Sequence, residues 1–356
     1  MNAGMRALVA AVLASAASGP LRAADFCPQN EVELRAALTA AQSNGQSDII
    51  RLLATTYFTG GVKFSAVQTE AHDLTISGGW QNSGIFLCVS QNASAGATVL
   101  DAQGSSAVLD FSQGSGPLAT GTTLTLENLT LRNGLTAVNG ESAALSMLGG
   151  IGQTLRVERV VAVDSRQATI GPNIYSNVVT LAGFGDIYLL DSLVAGAQSN
   201  YATLGVFSFT DGASVFLNNN TLSVTGGPLS ALLDANAGSN FRLANNAIVG
   251  TLNINSRSAG DLIQLYLLHN VGQWSTAFSF NLVTDLNNLR NVDPGFVGGG
   301  NYRPAPGSLL INRGLNAPFG GVPGVDLDGG PRVVFGTIDV GAYESSVAAI
   351  FANGFE

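Results

Sequence analysis

"LTLENLTLRNG" (residues 124–134) alternates apolar and polar side chains, breaks the alternation at Asn128, and resumes it. Period-two alternation is the mark of a strand with one buried side, and a polar residue interrupting it marks a turn. Looser copies follow: "LRVERVVAVDS" from Leu155, "IYLLDSLVAGA" from Ile187, "VFLNNNTLSVTG" from Val215 and "FRLANNAIVGT" from Phe241. Aligned on the interrupting residue, the copies fall at Asn128, Arg159, Asp191, Asn219 and Asn245, and a weaker unit, "LYLLHNVG", adds His269. The successive differences are 31, 32, 28, 26 and 24 residues. Periods in this range signal a solenoid. Helical repeats would space their apolar residues by 3.6, leucine-rich repeats hold a fixed length, and propeller blades run longer. Variable loops between short strands leave an all-β, single-stranded parallel β-helix, right-handed by the general rule for parallel crossovers.

That geometry explains the copying. Equivalent strands in successive coils lie about 4.8 Å apart, so each residue stacks on its counterpart. Inward Leu, Val, Ile and Phe form one apolar column. Asn128, Asn219 and Asn245 at the bend are expected to form an Asn ladder that satisfies turn amides. Arg159 and Asp191 replace Asn on adjacent coils, so a direct ion pair between them is expected.

Composition agrees with many short strands. Of 356 residues, 46% are hydrophobic and 11% charged, 44 are Gly, and Lys63 is the sole lysine. The net charge of −9 argues against nucleic acid as a partner, since phosphates need a basic face. Residues 1–23 read as a secretory signal peptide: Arg6, the apolar run Ala7–Ala17, then small residues up to cleavage after Ala23. No stretch is long enough for a transmembrane helix in the mature chain. In an oxidising compartment Cys27 and Cys88 are expected to form a disulfide.

A raw solenoid end invites edge pairing and needs a cap. "NEVELRAALTAA" (residues 30–41) carries an Asn N-cap with Glu33 three residues on, and Val32, Leu34, Ala37, Leu38 and Ala41 on an apolar side. It predicts a short helix over the first coil, within a cap at residues 24–45. The β-helix then runs to residue 345, and residues 346–356 form a tail.

At its two ends the chain resembles secreted bacterial right-handed β-helix proteins of the pectate-lyase-like superfamily, in particular those with a choice-of-anchor Q region. The front pieces are, in order, Cys27, "ELRAAL", "IIRL", "TYF", "LTISGGW", Cys88 and "TVLDAQG"; the back pieces are "VDPGF" (292–296), "YRPAPGSLLINRG" (302–314) and "DLDGGPRVVFGTIDVGAYE" (326–344). The chain departs from the pattern at Asn312, where such proteins usually carry Asp. The terminal "IFANGFE" is similar to a short tag on exported proteins of some proteobacteria. The resemblance implies an extracellular or cell-surface location in a Gram-negative bacterium. It does not imply an activity, because this fold carries lyases, hydrolases, adhesins and passive spikes.

Catalysis on such a fold needs acids clustered on consecutive coils. Glycosidases pair two carboxylates; lyases add a strong base and often acidic Ca²⁺ ligands. Glu127 and Glu158 share a column one residue before the mark, where the next coils have Leu190 and Asn218, and no column holds three acids. Glu127, Glu158, Arg159 and Asp191 are therefore the catalytic candidates, read first as turn carboxylates and a structural pair. Asp164 stands five residues after its mark. His72 and His269 fall in distant coils. "DLDGG" makes Asp326 and Asp328 candidate Ca²⁺ ligands, with Asp339 and Glu344 able to complete a site; a structural turn offset by Arg332 is the plainer reading, and no cofactor is expected. The favoured function is non-enzymatic binding or adhesion to a polysaccharide or a surface partner, and the alternative is a polysaccharide lyase or glycoside hydrolase.

Overall fold

A computed structural model describes residues 24–114, 119–168, 177–196, 199, 201–224, 231–236, 238–256, 263–277 and 280–346. The signal-peptide reading and the terminal "IFANGFE" lie outside them. The described chain is an all-β parallel solenoid whose strands stack on three faces. The first face runs from Ala24–Phe26 and Asp48–Leu53 through Leu74–Ser83 and the front half of Thr123–Arg132 to Ile263–Leu268 and Phe280–Leu286. The second begins at Thr56–Phe58 and Val99–Asp101 and ends at Leu289–Arg290. The third stacks Phe64–Gln68, Leu109–Gln113, Leu145–Ile151, Val179–Phe184 and Leu204–Ser208, and continues past Ala231–Ala235. Among the described strands only two pairings are antiparallel.

Alternation sets the core. In Thr123–Arg132, Leu124, Leu126, Leu129 and Leu131 are all fully buried, and the partners of Leu124 on the flanking coils, Leu74 and Leu155, are buried as well. Every register mark sits at the corner between the first and second faces. Asn128, Arg159, Asp191, Asn219, Asn245 and His269 all take left-handed backbone, with φ between 44° and 58°. One left-handed residue turns the chain without a loop, so Thr123–Arg132 and Thr154–Val163 bend without ending. The preceding coil turns at Gly79, where a Cβ would meet the Asn92 carbonyl at 2.2 Å.

At this corner Asn245 donates to Asn219 (2.8 Å) and Asn219 to Asp191 (3.3 Å), while Asn128 donates to the carbonyls of Gly78 and Asn92. The longer, inward ladder is one residue on: Asn220, Asn246, Asn270 and Asn288. Asn246 accepts from the backbone and side-chain nitrogens of Asn220, and Asn270 does the same for Asn246. Each also donates to a carbonyl two residues before the previous mark, Leu189, Leu217, Leu243 and Leu267. The left-handed kink pulls that carbonyl out of the strand ladder, and the amide returns a partner to it.

The cap helix spans Glu31–Ala40, with the Glu33 N–H donating to the Asn30 side chain at 3.0 Å and Leu34, Ala37 and Leu38 buried. Val32, expected on the buried side, is 78% exposed. Cys27 and Cys88 form the disulfide, with Cα atoms 6.0 Å apart.

Parallel stacking stops at Arg290, well short of residue 345. Residues 291–346 instead lay a strap back over the first corner and the second face. Arg313 O accepts from His269, Leu315 exchanges two hydrogen bonds with Asn245, and Phe319 O accepts from Asn218. Leu327 reaches Ala95 near the front coils and packs with Leu193, Ala195, Ala342 and Tyr343.

Candidate functional site

The strap decides which candidate residues face solvent. Asp191 does not: it is fully buried, and its partner is Arg332 of the strap (Nε–Oδ1 2.9 Å). The expected Arg159–Asp191 pair is not formed. The Arg159 guanidinium turns the other way, donating to Ala93 O at 3.0 Å and lying 4.0 Å from Glu158. The cation that pairs with Asp191 comes from the strap, outside the repeat, which coil-to-coil alignment does not register. Glu127 and Glu158 are directly stacked coil neighbours, but Glu158 is held by Arg156 at 2.5 Å. Asp164 lies at the second corner, lining a hollow with Asn133 and Arg166. The four acids do not share one groove.

The closing motif spends its carboxylates on its own backbone. Asp326 accepts from the N–H groups of Asp328, Gly330 and Glu344; Asp339 from those of Asn312 and Ser345; Glu344 from those of Val334 and Asp339. Burial pushes Asp191 and Glu344 up to about 7, against the pull of Arg332, and raises Asp326 and Asp339. Asp328 turns to the surface and pairs with Arg303. Asp326 and Asp328 thus diverge, and among the described residues no group of three or more His, Cys, Asp or Glu is arranged to hold a metal ion.

Solvent-facing ionic chemistry is found elsewhere. A cavity of about 320 Å³ opens beside the third face, lined by Lys63, Ser105, Ser106, Thr136, Val138 and Glu141 among others. Lys63 precedes the strand Phe64–Gln68, Asp110 points outward from the next coil between Ser65 and Ser146, and Glu141 comes from the loop before Leu145–Ile151. The Lys63 ammonium lies 2.7 Å from Glu141 and 3.3 Å from Asp110. Thr136 donates to the other Glu141 oxygen at 2.5 Å. Arg35 of the cap helix fixes the floor by donating to the carbonyls of Thr59, Val62 and Lys63.

Burial alone would lower the Lys63 ammonium, but its bond to Glu141 and the charge of Asp110 outweigh it and raise its pKa. Burial alone would raise Glu141, but Lys63 and Thr136 hold it below the usual carboxylate range. Both groups are firmly ionised. Away from the cavity the outward column of the third face continues as Ser65, Asp110, Ser146 and Thr180, with Asn253 and Ser275 on later coils. Of this site the sequence flagged only the single lysine. Lys63, Asp110 and Glu141 lie on three coils outside the aligned repeats, so no spacing connects them.

Comparison with protein-family models, curated proteins and solved structures finds no match to the chain.

Proposed function

We propose that this is an exported β-helix protein that binds a polysaccharide along the outer side of its third face without cleaving it. The Lys63–Glu141–Asp110 cluster is its polar anchor. One observation carries this reading: the Lys63 ammonium is paired with both Asp110 and Glu141, and Lys63 and Glu141 hold each other ionised. A lyase needs a base able to take a proton, and a glycosidase needs one carboxyl that keeps its proton. Lys63 and Glu141 are displaced in the opposite directions. Fixed charges beside Ser, Thr and Asn side chains suit sugar hydroxyls, which both donate and accept. The carboxyls that do rise toward neutral pH, Asp191 and Glu344, are buried around Arg332 where the strap meets the coils.

Export rests on the signal-like front and the disulfide. Membership of the pectate-lyase-like, choice-of-anchor Q proteins rests on the quoted end motifs, which form the cap helix, the first coils and the strap. A surface location in a Gram-negative bacterium follows from the same resemblance.

The test is a polysaccharide panel probed with purified wild-type chain and Glu141→Gln, with product analysis on each hit. Binding without release of reducing or unsaturated ends, weakened about tenfold (1.4 kcal/mol) by the substitution, is expected. Release of cleaved products by wild type, lost in the variant, would establish an enzyme.

A further inference from the structure

The Lys63 cavity does not end at its own rim. Ser105 and Leu135 line it, and the residues just before them, Gly104 and Gly134, line a second hollow of about 450 Å³ with Gln103, Asn133, Asp164 and Arg166. The two hollows form one trough along the corner between the second and third faces. It crosses successive coils: Lys63, then Gly104 and Ser105, then Gly134 and Leu135, then Arg166, which pairs in register with Leu135. Three coil spacings make it about 14 Å long. The second hollow is preset. Gln103, Asn133 and Asp164 take left-handed backbone on three successive coils, with φ of 53°, 55° and 52°. Asp101 ties two of them, accepting from the Gln103 N–H at 2.8 Å and from the Asn133 amide at 2.9 Å. Asp164 and Arg166 are exposed, and among the described residues neither has an ion pair or a side-chain hydrogen bond.

We propose that the trough is one oligosaccharide site and that its ligand is an uncharged glycan, with one sugar unit at Lys63 and Glu141 and another at Asp164 and Arg166. This rests on the polysaccharide-binding reading of the Lys63 cavity. A carboxylate only accepts and a guanidinium only donates, whereas a sugar hydroxyl does both. A hydroxyl-bearing ring therefore satisfies Asp164 and Arg166 together. An acidic sugar would suit Arg166 and be repelled by Asp164. The lining charges balance, Lys63 and Arg166 against Glu141 and Asp164. The Lys63 ammonium is already met by Glu141 and Asp110. An acidic polymer would find no surplus cation lining the trough, on a chain that carries −9.

Calorimetric titration of the full chain with neutral oligosaccharides of rising length (cello-, xylo- and manno-series) and with oligogalacturonate is the test. A neutral series is expected to bind, with affinity that rises with length until the trough is spanned and changes little with salt. Asp164→Asn and Arg166→Gln should each weaken it at least about tenfold. Ser105→Trp, at the junction of the two hollows, should abolish the gain with length. The melting temperature should be unchanged in Asp164→Asn and Arg166→Gln, because both side chains are exposed and Asn tolerates the left-handed turn. Tighter binding of oligogalacturonate, falling steeply with salt, would overturn the proposal. So would neutral binding weakened in Glu141→Gln but intact in Asp164→Asn and Arg166→Gln. The Lys63 cavity would then be the whole site, and the polysaccharide reading would stand. Binding of no saccharide by the wild-type chain would overturn both.

Discussion

Arg332 is 1% exposed and faces carboxylates from two parts of the chain: Asp191 of a coil corner at 2.9 Å and Glu344 of the strap at 3.5 Å. Its Nη2 also donates to the carbonyls of Asp339 and Gly341. A buried ion pair is weak evidence of net stabilisation, but removal of one member leaves an unpaired buried charge, at about 3–5 kcal/mol. The partner assignment can be read from two double-mutant cycles. Asp191→Asn with Arg332→Met should show coupling on the order of 0.5–3 kcal/mol, and Asp191→Asn with Arg159→Asn should be additive within about 0.5 kcal/mol, as for residues without a shared interaction. Chemical unfolding of the three single and two double variants measures both. Coupling between Arg159 and Asp191 as large as that with Arg332 would contradict the observed pairing.

At the scale of the element, the corner consists of two adjacent columns with different duties. The mark column needs left-handed backbone, which Asn and Asp tolerate, and its side chains meet the strap. The column after it faces inward and carries Ser192, Asn220, Asn246 and Asn270, all at most 1% exposed. The same position holds Leu129 and Val160 on the earlier coils, so an apolar rung is compatible with the corner when its neighbours are apolar. Inside the Asn run it is not. Asn246→Leu would orphan the Leu217 carbonyl and the Asn220 N–H, each costing about 1–3 kcal/mol when buried. The half-buried end rung Asn288 should tolerate the same change better, and thermal melts of the two variants compare them.

The period-two pattern and the marks made the first face and its corner legible, because burial of one side imposes alternation and a loopless turn demands an unusual residue. The ladder was legible only to within one position. "NNN" at 218–220 and "NN" at 245–246 offer two Asn at each turn, and which of them points inward depends on the handedness of the kink. The Lys63 cavity was not legible at all. Its residues are joined by the stacking of coils whose loops differ in length, so no local pattern announces them.

For the whole molecule, the strap ties the rear coils to the front ones and makes a solenoid, whose stability is otherwise nearest-neighbour, more cooperative. It reaches from His269 to Ala95, and its central node is the set Asp191, Asp326, Asp339, Glu344 and Arg332. Burial raises all four carboxyls, Asp191 and Glu344 up to about 7, whereas in the unfolded chain they titrate near about 4. Raised folded-state values mean that the native protein holds protons that the unfolded chain has released. The stabilisation is therefore complete below about pH 4, is lost progressively as pH rises, and is gone above about pH 7. From this node the melting temperature should fall between about pH 5 and pH 8. Asp191→Asn removes one of the titrating groups and should flatten the fall. Arg332→Met removes the cation that opposes the upward shifts, so its destabilisation should be larger at high pH than at low pH, where the carboxyls can neutralise themselves. Hydrogen exchange at the two pH values should, after correction for intrinsic rates, show strap amides such as Leu327 and Gly341 opening before those of Leu124–Leu131. A melting temperature that rose through this interval, with the same slope in Asp191→Asn, would mean that the node is ionised throughout and that the strap is held by its apolar contacts instead.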